Sequence, residues 1–82
     1  MELDKSISVF PIPSSHYLNI ESDISLENAI ISIYEMSGRL VHQERIEEGR
    51  NDIDISGLNA GIYIYQIQVG SEAIESGKFI KL

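Results

Sequence analysis

The sequence predicts an all-β domain built as a sandwich of two antiparallel sheets, and three observations carry that prediction. Apolar residues alternate with period two, and no segment holds a 3.6-residue stripe for the ~11 residues a helix needs. Turn-forming clusters punctuate the chain at regular spacing, at Pro11-Ile12-Pro13-Ser14-Ser15, Met36-Ser37-Gly38, Glu48-Gly49-Arg50-Asn51, Ser56-Gly57 and Gly70-Ser71. Between Ser56 and Val69 a glycine-punctuated corner runs straight into a long strand that opens on a tyrosine. A late strand of an immunoglobulin-like sandwich begins this way, the tyrosine hydroxyl bonding back to the corner backbone.

The elements follow in order. Ser6 to Phe10 alternates through Ile7 and Val9 and ends where two prolines fix the backbone and remove donors. His16 to Glu21 points Leu18 and Ile20 inward, and Ala29 to Met36 does the same with Ile31 and Ile33. Ser37-Gly38 turns the chain tightly into Arg39 to Ile46, where Val41 faces in. Asn51 to Ile55 contributes Ile53 and Ile55; Leu58 then fills the space beneath the corner. Gly61 to Val69 buries Tyr63, Tyr65, Ile67 and Val69, with Gln66 and Gln68 outside. Ile62 and Ile64 break that alternation, so the first half of this strand is expected to be covered on both sides. Lys78 to Leu82 closes the fold, with a short piece near Glu72 to Glu75 able to pair as well. These make about seven strands, the pattern of a sandwich.

Eighty-two residues make one domain, read as a linker remnant at 1–5 and a folded unit at 6–82. With no cysteine the fold rests on its apolar core, expected to supply roughly 4–12 kcal/mol in total. A formal charge of −7, from 13 acidic and 6 basic residues, repels phosphate backbones and anionic lipid, which argues against nucleic-acid and membrane-surface roles. No stretch approaches the ~20 apolar residues of a membrane helix, so no direct membrane insertion is expected. Met1-Glu2-Leu3-Asp4 lacks the basic start and apolar run of a signal peptide; a domain working outside the cytoplasm is then expected to be a piece of a longer chain.

The search for chemistry ends without a reactive constellation. His16 and His42 lie in different strands, neither in a short ligand pair, and read as lone surface histidines. Asp52 and Asp54 share a strand face but lack the loop and distal glutamate of a calcium site. No serine sits in a nucleophile elbow, and no glycine-rich phosphate loop is present. Tyr17 and Tyr34 are the only aromatics available for a sugar-binding platform, and partial burial in the core is expected for both. The chain is therefore read as a non-enzyme without cofactor or metal.

Four motifs in one order resemble a known family, the type A C-terminal sorting domain of the type IX (Por) secretion system of Gram-negative bacteria. The segment Ile7-Ser8-Val9-Phe10-Pro11-Ile12-Pro13 with Tyr17-Leu18-Asn19-Ile20 is similar to its opening strand and turn, although Phe10 and Ile12 stand where the family has tyrosine and asparagine. Ile31 to Val41 resembles the central hairpin, Asn51 to Tyr63 the corner, and Gly77-Lys78-Phe79-Ile80-Lys81-Leu82 the basic, apolar terminal strand. The resemblance spans residues 6–82. It implies a folded secretion signal that carries a covalently linked N-terminal cargo domain across the outer membrane, to the cell surface or the medium. An outer-membrane translocon is the implied reader and a sortase-like protease the implied processing enzyme, cutting in or before Met1 to Lys5. The candidate recognition residues are Pro11, Pro13, Gly38, Gly61, Tyr63, Lys78, Phe79, Ile80, Lys81 and Leu82. Lys78 and Lys81 are expected to be exposed and to guard an edge strand against unwanted pairing. An appended adhesive or carbohydrate-binding sandwich is the alternative, and a structural spacer a third reading.

Overall fold

A computed structural model describes residues 7–10, 16–22 and 27–82, and the predicted linker at 1–5 lies outside them. The strands are β1 (Ile7–Phe10), β2 (Tyr17–Ser22), β3 (Ala29–Glu35), β4 (Leu40–Ile46), β5 (Gly49–Asp54), β6 (Gly61–Val69) and β7 (Glu72–Lys81). They form a three-stranded sheet in the order β1-β2-β5 and a four-stranded sheet in the order β4-β3-β6-β7, with every pairing antiparallel. The immunoglobulin-like sandwich expected from the sequence is the fold observed.

Alternation dictates which side chains meet between the sheets. Leu18, Ile20 and Ile53 of the smaller sheet, with Ile55 just beyond it, pack against Ile31, Ile33, Tyr63, Tyr65 and Ile67 of the larger one. Val9, Val41, Leu58 and Val69 lie partly buried against this core. Ile46 and Phe79 join it too, though neither was assigned to it from the sequence. Each fully buried aliphatic side chain stabilises by roughly 1.5–3 kcal/mol relative to leaving it in water.

Two boundaries differ from expectation by more than one residue. Of the residues read as a turn at Glu48 to Asn51, Gly49, Arg50 and Asn51 already belong to β5, so only Glu47 and Glu48 carry the chain from one sheet to the other. The Asn51 side chain makes so short a crossing possible: its amide donates to the Glu47 carbonyl at 2.7 Å, and its oxygen accepts from the Glu47 N–H at 3.0 Å. Likewise the piece at Glu72 to Glu75 and the strand at Lys78 to Leu82 are one continuous β7. A register shift opposite Ile67 and Gln68 absorbs Ile74 as an extra residue, which bends the strand without ending it.

Candidate functional site

The corner between β5 and β6 closes as its residue types require. The Tyr63 hydroxyl donates to the Asn59 carbonyl at 2.6 Å, while the Leu58 N–H donates to the Ile55 carbonyl at 3.0 Å. Gly61 takes φ +155°, a value side chains oppose, and so lets the chain leave the corner directly into the strand. Just before it, the Asp54 carboxylate accepts from the Ser56 hydroxyl at 2.7 Å and from the Ser56 N–H at 2.9 Å, which holds its pKa below the ordinary carboxylate value. Tyr63→Phe is expected to lower stability by roughly 0.5–1.5 kcal/mol, because the ring stays and one hydrogen bond goes. Chemical denaturation with an unchanged midpoint would show that the corner bond carries nothing.

Register brings most of the candidate recognition residues to one end of the four-stranded sheet. Gly61 pairs with Lys81, Ile62 with Ile80, Tyr63 with Phe79 and Ile64 with Lys78. β3 ends at the same level, since Glu35 pairs with Tyr63, and the turn holding Gly38 at φ +96° follows it. That turn is fastened by the Gly38 N–H to the Glu35 carbonyl at 2.8 Å and by the Glu35 N–H to the Arg39 carbonyl at 2.9 Å. An ion pair between Arg39 and Glu35 spans it, and the bond from the guanidinium holds the Glu35 carboxyl below its ordinary pKa. Pro11 and Pro13 lie outside the described residues.

Burial divides these residues into two kinds. Phe79 is wholly buried and stacks on Tyr63 with ring centroids 5.6 Å apart, so both hold the fold together. Lys78, Ile80, Leu82 and Gly38 are exposed. Lys81 corrects an expectation: it is 8% exposed, because it alternates with Lys78 across an edge strand and shares the inner side with Phe79. Its long apolar stem lies along the interior while its ammonium donates to the Leu82 carbonyl at 3.0 Å. Only Lys78 is left to guard the exposed edge.

Two further expectations are overturned on the outer surfaces. Ile62 is 50% exposed, so the start of β6 is not covered on both sides; Ile64 beside it is partly buried. Tyr17 is 52% exposed, standing at the first position of β2, where none of the described strands forms a third layer over the sheet; Tyr34 is partly buried as expected. The two tyrosines lie on the outer faces of different sheets and form no common platform. Sequence reasoning missed the apolar patch of Ile62, Ile64, Leu40 and Tyr34 beside Ile80. The broken alternation at Ile62 and Ile64 was its signal.

His42 bonds Glu44 at 2.9 Å, and Asp52 accepts from Arg50 at 3.1 Å. Among the described residues no group of three or more histidines and carboxylates is placed to hold a metal ion. What remains is a small sandwich whose distinctive residues serve a corner, an edge strand and a surface. Residues 8–81 match the family described as the secretion system C-terminal sorting domain, and the chain belongs to that family. It is a sorting signal of type IX secretion and thus part of a secreted or cell-surface precursor. A curated relative, a funoran endo-beta-hydrolase of Wenyingzhuangia aestuarii, is 30% identical over 77 residues, a match taking in 93% of this chain and 10% of that enzyme. The chain spans about a tenth of the length of the relative it matches.

Proposed function

We propose that the domain delivers a larger cargo to the outer-membrane translocon of the type IX system, and that a sortase-like protease then removes it within or before residues 1–5. The cargo carries the biological activity and the sandwich carries the address. The observation that supports this reading is the gathering of Gly38, Lys78, Ile80 and Leu82, all exposed, at one end of a sheet whose neighbouring residues are locked into the core. A reader can meet these groups without unfolding the domain. That a match of 93% of this chain covers only 10% of a large hydrolase supports the role of appended module, with a secreted enzyme as one kind of cargo.

A reporter placed behind a signal peptide and ahead of residues 6–82, in a host with type IX export, is expected to reach the surface or the medium. The same reporter without the domain is expected to stay in the periplasm. Equal export of both would overturn the sorting role.

A further inference from the structure

The outer face of the four-stranded sheet differs from the rest of this acidic chain. The chain carries 13 aspartates and glutamates, yet the register assigns none of them to this face in β3, β4, β6 or β7. Its charges there are Arg45 on β4 and Lys78 on β7. The outer face of the smaller sheet is the contrast. Glu21, Asp52 and Asp54 stand on it, with Arg50 paired to the first two.

The acid-free face is also apolar at the end where the recognition residues gather. One row crosses all four strands as Leu40, Tyr34, Ile64 and Lys78, and the pair Ile62 and Ile80 lies beside it. Ile62 and Ile80, half exposed, border a groove of about 220 Å³ with Lys78 at its rim. A contiguous apolar surface rimmed by a charge is the mark of a contact site.

We propose that this face is the docking surface for a protein of the export machinery that offers an apolar side chain to the groove and a carboxylate to Lys78, an inference that rests on the sorting role above. Charge selects this occupant over the others. Two copies meeting face to face would bring Lys78 and Arg45 of each together with no carboxylate among the described strand residues of either face to pair them. A glycan would need an aromatic platform, and the face offers only the partly buried Tyr34. An anionic bilayer would meet the whole domain, whose net charge of −7 it repels, whereas a protein can present a single carboxylate to Lys78. An acid-bearing protein surface gains from both halves of the face.

The test uses the reporter fusion with three altered domains. Ile62→Thr with Ile80→Thr removes the apolar groove while keeping β-branched side chains suited to a strand. Lys78→Glu reverses the rim charge at an exposed position, and Tyr17→Glu places a new charge on the opposite sheet as the control. Export with the first two is expected to fall roughly tenfold or more, the loss that removing a hot-spot contact brings to binding, while the melting temperature of the purified domain stays within a few degrees. Export with Tyr17→Glu is expected to match the unaltered domain. Should the threonine pair unfold, Lys78→Glu alone decides. An exported unaltered domain with equally exported threonine and glutamate variants would overturn the docking face and leave the sorting role standing. An unaltered domain that is not exported would overturn the sorting role and the docking face together. A concentration-dependent dimer in sedimentation that Lys78→Glu abolishes would give the face to a second copy and overturn the proposal.

Discussion

Phe79→Ala is expected to lower stability by ~3–5 kcal/mol, the range for deleting a fully buried aromatic ring and leaving its cavity. Phe79 has no solvent exposure, and its ring lies 5.6 Å from that of Tyr63 on the neighbouring strand at an interplanar angle of 21°. Among the described strands β7 pairs with β6 alone, so no further strand of its sheet lies beyond it to shift inward and refill the space. Against a total of roughly 4–12 kcal/mol, the substitution removes a large share of the domain's margin. Urea denaturation measures it directly, and Phe79→Leu, which keeps most of the volume, is expected to cost under ~1.5 kcal/mol. A midpoint in Phe79→Ala that stayed within error would show that this end of β7 is not part of the core. A deletion of Lys78 to Leu82 therefore acts on export by breaking the fold, and substitutions at exposed positions are needed to probe recognition itself.

The second large effect is expected at Gly77. A Cβ on this residue would stand 2.7 Å from the Tyr65 hydroxyl oxygen and 3.0 Å from two of its ring carbons. Tyr65 is itself buried and is the direct cross-strand partner of Gly77, so its ring covers the glycine as a side chain would cover a neighbour. Two effects compete in Gly77→Val. A less flexible unfolded chain stabilises by ~0.4–1 kcal/mol, whereas overpacking costs ~1–3 kcal/mol. Overpacking wins here, because the ring is rigid and must swing out as a unit. The loss is expected to vanish in a Tyr65→Leu background, where the obstructing atoms are absent. Equal losses in both backgrounds would show that the crowding is not the cause.

Much of this was legible in the chain. Alternation placed the inner face of β2, β3, β5 and β6 correctly, since a slip of one residue would expose every isoleucine at once. The corner was legible because its hydrogen bond needs a tyrosine, a glycine and a short spacing, all local in sequence. β7 was harder. Ser76-Gly77 reads as a break when seen alone, and only the ring of Tyr65, brought across from another strand, explains a glycine within an unbroken strand. Lys81 was misplaced because a charged tip speaks for solvent, while its stem answers to whichever side of the strand it falls on. Ile62 and Tyr17 show the opposite limit. Hydrophobicity says what a residue can tolerate, and the packing around it decides whether it is covered.

The position of Phe79 in the last strand has a consequence for biosynthesis. Until β7 has left the ribosome, the edge of β6 is bare and the place of that ring in the core is empty. A nascent chain with six strands made is thus a client for chaperones, exposing an unpaired edge and a half-lined interior. The sandwich is complete only after its seventh strand has been translated. A precursor cut short before that point lacks the strand that completes the core, so the fold itself works as a check that the message was read at least as far as β7.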